Sequence, residues 1–253
     1  MSENESKKSR SQKLFIQPRD VVVFKFLDRV GYANLVQISR AAGTDGGEKA
    51  QAAVLRRLYL LRRFGYIRTF STHQGNYYGL ETKSKMDNEL ISSIKLDQIK
   101  HHDFLIDLLF VVQGEPDVLS EREVIAKFKV VGKKGKIPDM VINDWVIEYE
   151  RTNKSVVDSQ SVVKYWTEEQ GKKLCIIYET EEIKNRYTAL LNPRVRLLAR
   201  SNYADILHVL AADTQHVATI VAPVASPVHN TPPVPAADSV SQDYAESIKN
   251  KYM

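Results

Sequence analysis

Pro138-Asp139-Met140-Val141-Ile142-Asn143-Asp144-Trp145-Val146-Ile147-Glu148-Tyr149-Glu150 is the stretch on which the reading of this chain turns. Two apolar runs flank Asn143-Asp144, residues suited to a two-residue hairpin turn. With that turn, Ile142 faces Trp145, Val141 faces Val146, and Asp139 faces Glu148. Directly opposed residues have Cβ atoms roughly 4.5–5.5 Å apart, and like charges there destabilise a sheet unless something offsets them. A divalent cation is the natural candidate. Strand period two puts Glu150 on the face of Glu148, with Ile147 and Tyr149 on the other. Three oxygen donors on one patch suit Mg²⁺ or Mn²⁺ better than Zn²⁺.

The plain alternative is an exposed hairpin whose acids meet solvent. The flanks argue against it, because near-continuous apolar runs mark strands covered on both faces. Carboxylates inside such a segment are costly without a purpose.

Working outward, the charge is uneven. Residues 1–81 hold 14 Lys/Arg against 7 Asp/Glu, and the remainder 22 against 24. The basic third predicts a nucleic-acid partner. No stretch reaches the roughly 18 apolar residues of a membrane span, and Met1 to Lys13 lacks a signal-peptide core, so a cytoplasmic protein without membrane insertion is expected. The single cysteine, Cys175, lies in the run Leu174 to Tyr178 and reads as a small buried hydrophobe; one cysteine allows no internal disulfide and no cysteine-based zinc site.

Residues 1–17 read as a disordered basic arm. From 18 to 81 the pattern is three helices and a hairpin: Val21 to Val30 with Pro18 before it and Gly31 after, Asn34 to Ala42 closed by Gly43, Glu48 to Phe64 with the stripe Val54, Leu58 and Leu61, then strands 66–70 and 77–80. That order predicts a winged helix-turn-helix. Its third helix would enter the major groove with Lys49, Gln51, Arg56 and Arg57 as DNA contacts, while Arg68, His73 and Gln74 on the wing touch the backbone. A basic helical bundle that binds a protein is the alternative.

Residues 82–97 read as a connecting helix. From 98 to 211 the expected order is a helix (His101 to Val112), a strand (about Arg122 to Val131), the Asp139 and Glu148 strands, a helix (Ser155 to Gln170), a strand (Leu174 to Glu179) and a helix (Glu181 to Leu191), one α/β domain in a chain that is α+β overall. Asp103 and Asp107 sit one turn apart on the first helix. His101 falls within its apolar stripe and reads as a core histidine, with His102 beside it. The tail 212–253 holds five of the nine prolines and reads as a disordered Pro/Ala/Val-rich linker whose last stretch, 241–253, could fold on a partner.

A nuclease core requires a cation held by carboxylates, a water that loses a proton, and a positive group near the scissile phosphate. Asp139 and Glu148 would bind the metal, and Glu150 would complete the shell or orient the water. Lys164 on the following helix is the candidate positive group, equally readable as a snorkelling surface lysine; Lys154 and Arg151 are nearer in sequence.

Pro138-Asp139 with Glu148-Tyr149-Glu150 resembles the PD-(D/E)xK nuclease superfamily and its restriction-endonuclease-like fold, except that Glu150 stands where the motif has lysine. Over residues 18–190, the succession of winged helix, His101-His102, acidic helix, Pro138-Asp139 and Glu148-Tyr149-Glu150-Arg151-Thr152 also resembles the replication-relaxation group and MobC-type plasmid mobilisation relaxases. The resemblance implies a relaxase that binds a plasmid transfer origin and nicks one strand with a metal ion. Its partners would be a mobilisation accessory protein and a type IV secretion coupling protein. By that likeness the site comprises His102, Asp107, Asp139, Glu148, Glu150 and Lys164. Two readings compete with it. One is a non-catalytic winged-helix regulator of plasmid replication or transcription with a degenerate nuclease domain. The other is a tyrosine transesterase, for which Tyr165 or Tyr187 would serve.

Overall fold

A computed structural model describes residues 14–44, 47–81, 96–128, 137–152 and 154–211. The arm before Leu14, the connecting stretch 82–95, the turn at 132–135 and the tail after Ala211 lie outside these residues. The chain is mixed α and β with two sheets. Among the described residues no helix is long and apolar enough to cross a membrane.

The first part opens with α1 (Pro18–Val30), which Gly31 ends by taking φ 87° and returning its N–H to the Leu27 carbonyl at 2.8 Å. Strand β1 (Tyr32–Asn34) follows, absent from the sequence reading, then α2 (Leu35–Ala41) and α3 (Glu48–Arg63). Asn34 closes β1 and caps α2, its Oδ1 accepting the Gln37 N–H at 3.0 Å while its own N–H donates to Gln37 Oε1 at 3.1 Å. Strands β2 (Ile67–Thr72) and β3 (Gly75–Leu80) form the expected hairpin, and β1 pairs with β3 to make an antiparallel sheet ordered β1-β3-β2. Gly79 makes that closure possible, since a Cβ there would stand 3.0 Å from the Gly31 carbonyl oxygen. Leu14 to Gln17, read from sequence as arm, is ordered: Ile16 is buried and the Gln17 N–H donates to Asp20 at 2.7 Å.

The second part begins with α4 (Leu96–Val111) and β4 (Val118–Ser120). Where a strand was expected from Arg122, the chain forms α5 (Glu121–Phe128). Ser120 and Glu123 explain the difference: the Ser120 N–H donates to Glu123 Oε2 at 2.8 Å, and the Glu123 N–H to Ser120 Oγ at 3.3 Å, a reciprocal cap that starts a helix. Strands β5 (Met140–Ile142) and β6 (Trp145–Glu150) are joined through Asn143-Asp144 in the expected register, Met140 to Ile147, Val141 to Val146 and Ile142 to Trp145. Asn143 takes φ 54°, which asparagine tolerates better than most residues.

Helix α6 (Val156–Lys164), capped by Ser155, runs into a π-turn at Tyr165–Glu169; β7 (Lys173–Tyr178), α7 (Glu181–Arg186) and β8 (Val195–Ala199) follow, with α8 (Ile206–Ala211) last. The sheet order is β4-β5-β6-β7-β8, antiparallel up to β6 and parallel from β6 to β8. Trp145, Val146 and Ile147 are all buried, so β6 is covered on both faces. One face, with Ile147 and Tyr149, joins a core that runs from Ile16 to Ile206; the other, with Val146, packs on Trp166, Ile176 and Tyr178. Cys175 is fully buried, and burial raises its thiol pKa to about 12.

Candidate functional site

Parallel pairing of β6, β7 and β8 collects their carboxyl ends at one edge of the sheet, where ligands of open α/β sheets bind. The β5–β6 hairpin returns the start of β5 to the same edge, which places Asp139 beside the end of β6. Asp139 Oδ2 accepts the Tyr149 N–H at 2.7 Å, so this carboxylate touches the backbone between Glu148 and Glu150. Its Oδ1 lies 3.1 Å from His101 Nε2. Helix α4 supplies that histidine because Phe104, one turn on, packs against Tyr149 with ring centroids 4.1 Å apart.

On the opposite face, Glu148 Oε1 accepts the Trp166 indole N–H at 2.8 Å. Glu150 is ion-paired with Lys154, and its Oε1 accepts the Thr152 hydroxyl at 2.7 Å. Burial works against a charged Lys154, yet Glu150 first, then Glu148 and Asp139, raise its pKa above the ordinary value. A single ammonium therefore feels all three acids.

Two further groups border Asp139. Burial opposes protonation of His101, but its hydrogen bond and charge interaction with Asp139, aided by Glu121, raise its pKa. The pKa of Glu121, at the start of α5, is raised by burial and then by Asp139, with His101 acting the other way. The reading of His101 as a core histidine is thereby corrected: it is the histidine at the acid cluster. His102 instead has Nε2 2.9 Å from the Tyr32 carbonyl oxygen and its ring stacked 3.9 Å from that of Tyr32, and burial depresses its pKa to about 4.

The remaining expected site residues lie apart from the acids. Lys164 is exposed at the end of α6 and, among the described residues, forms no ion pair with them. Burial, the largest influence, raises the pKa of Asp107, against the opposing charges of Arg40 and Arg200. Among the described residues no set of three or more His, Cys, Asp or Glu side chains is grouped as a metal cluster. Asp139 and Glu148 meet different partners, His101 and Trp166, instead of sharing the single patch that strand alternation predicted.

On α3, Lys49 and Arg56 are exposed and Gln51 is half-buried. Arg57 is committed elsewhere: Nε bonds Asp20 Oδ1 at 2.9 Å, while Nη2 bonds Asp20 Oδ2 and the Phe15 carbonyl, each at 2.5 Å. Asp20 is buried, so the guanidinium offsets a charge inside the fold rather than facing a groove. On the hairpin, half-buried Arg68 has its guanidinium 4.9 Å from the Phe70 ring centroid, and His73 and Gln74 are exposed at the tip. Tyr59, 65% exposed, extends the outward face of α3.

Sequence reasoning missed Glu121, Trp166, Glu179 and Arg200 at this edge, since none falls in a motif and only the sheet brings them together. Lys154 had a visible signal, its four-residue spacing from Glu150. No family model, curated protein or solved structure matches the chain.

Proposed function

We propose that the protein is a DNA-binding phosphodiesterase that nicks one strand with Mg²⁺ or Mn²⁺. In this reading residues 18–81 are a winged helix-turn-helix and residues 98–211 a PD-(D/E)xK-like nuclease domain. The observation that carries it is Asp139, bound to the Tyr149 N–H, at the same carboxyl edge of the sheet as Glu150 ion-paired with Lys154, whose charge is also favoured by Glu148 and Asp139. The succession α4, β4, α5, β5, β6, α6, β7, with an antiparallel hairpin followed by a parallel crossover, supports the nuclease fold. Exposed Lys49, Arg56 and His73 on α3 and the hairpin support the DNA reader.

Asp139 and Glu148 would hold the ion, with Glu150 beside them. A bound Mg²⁺ or Mn²⁺ would polarise the phosphate and acidify the attacking water. Lys154 takes the role first sought in Lys164, setting a positive charge against the negative charge that grows on the phosphate oxygens. His101 and the Tyr149 N–H fix both oxygens of Asp139. The physiological substrate is the one the resemblance implies, a plasmid transfer origin, with a mobilisation accessory protein and a type IV secretion coupling protein as partners.

One observation favours a second reading, the non-catalytic regulator: Trp166, Lys154, Thr152, His101 and the Tyr149 N–H already satisfy oxygens of the three acids. Calorimetric titration with Mn²⁺ separates the two. The nuclease reading expects heat from the wild type that is lost in Asp139→Ala; no heat from either, with DNA binding intact, establishes the regulator instead.

A further inference from the structure

Strand β8 extends the carboxyl edge beyond β7. Glu150, Tyr178 and Ala199 stand in register across β6, β7 and β8, and Arg151, Glu179 and Arg200 follow directly on that last row, Arg200 opening a 3-10 turn. Arg200 is held in one orientation from two sides. Its Nη1 donates to Glu179 Oε1 at 2.8 Å, and its guanidinium lies 5.3 Å from the Phe104 ring centroid. The other oxygen of Glu179 accepts the Tyr149 hydroxyl, and the Tyr149 N–H donates to Asp139. The arginine is thus tied to the acid cluster through two intervening side chains.

The Arg200 side chain is 41% exposed, so part of its fork is open to solvent. A guanidinium with one edge on a carboxylate and one face on an aromatic ring keeps its remaining N–H groups pointing in fixed directions, the arrangement that matches phosphate oxygens. Two strand spacings, about 10 Å, separate β8 from β6. A phosphate held at Glu148 would leave Arg200 within range of the neighbouring one along the strand.

We propose that Arg200 binds a backbone phosphate flanking the cleaved bond, with Glu179 and Tyr149 as positioning residues. The inference rests on the DNA-cleaving reading and adds to it a phosphate contact outside the resembled motifs. Arg200 sets where the strand crosses the edge of the sheet, while Lys154 and the acids act on the bond itself.

The test is the salt dependence of DNA binding by the full chain, followed by fluorescence anisotropy with Ca²⁺ in place of Mn²⁺ to suppress cleavage. Each phosphate contact contributes about one unit to the slope of log affinity against log salt. Arg200→Ala is expected to flatten the slope by about 1. Arg200→Lys should keep the slope but bind more weakly for want of the fork. Arg186→Ala, which removes a charge from exposed α7, should leave the slope unchanged. Should Arg200→Ala melt, as judged by circular dichroism, Arg200→Gln keeps bulk over Phe104 and reads the same quantity. A wild-type slope in a folded Arg200→Ala or Arg200→Gln overturns this proposal alone. A wild type that binds no DNA at any salt overturns it together with the functional reading.

Discussion

Two neighbouring arginines on α3 do different work. Arg57 neutralises Asp20, whose side chain is only 2% exposed, and ties Phe15 to the helix; Arg56 is exposed on the outward face. Removing one partner of a buried pair leaves an uncompensated charge. Arg57→Ala is expected to lower stability by about 3 kcal/mol in urea denaturation. Arg56→Ala should stay within about 0.5 kcal/mol while weakening DNA binding. Adjacent histidines divide in the same way. His102 is held neutral in the fold, its pKa depressed from 6.5 to about 4 by burial. The unfolded chain therefore binds more protons between these values, and stability falls as pH drops through that window, by at most about 1.4 kcal/mol per pH unit. Denaturant midpoints between pH 6.5 and 4 should decline in the wild type and decline less in His102→Phe.

The β5–β6 hairpin is the element on which the site depends, because its turn sets the register that brings Asp139 beside the end of β6. Asn143 holds that turn with φ 54°. A β-branched side chain is strained there, so Asn143→Val is expected to cost about 1–2 kcal/mol and to reduce cleavage, whereas Asn143→Gly is tolerated in both measurements. This hairpin was legible because turn chemistry and apolar runs pointed the same way. At Glu121–Phe128 they did not: Val124, Ile125 and Phe128 suggested a strand, while Ser120-Glu121-Arg122-Glu123 carried a capping box, and the cap won. Strands β1 and β8 are short and have no turn signal of their own, and their pairing with β3 and β7 comes from distant parts of the chain.

Across the whole molecule, a dense polar joint ties the first, helix-rich part to the second sheet. Tyr77 donates to Asp103 at 2.6 Å, and Gln37 donates to the same carboxylate at 3.1 Å. Arg29 bonds Glu123 at 2.9 Å and the Val118 carbonyl at 2.6 Å. Asp103 and His102 in this joint sit on α4 next to His101, which holds Asp139, so the candidate site and the first part are braced by the same helix. These links span long sequence separations and leave no local pattern, which is why Asp103 read only as the polar edge of a helix. Spacing offered Lys154, four residues from Glu150, as readily as Lys164, and only the fold pairs Lys154 with Glu150 while leaving Lys164 exposed.

Nicking of supercoiled plasmid DNA tests this arrangement most directly, with Mn²⁺ present and wild type, Glu148→Gln, Lys154→Met and Lys164→Met compared side by side. Open circles are predicted with the wild type and Lys164→Met, none with Glu148→Gln, and at least tenfold fewer with Lys154→Met. Equal nicking by all four proteins, or none by the wild type, would contradict a cleavage centre at Asp139, Glu148, Glu150 and Lys154.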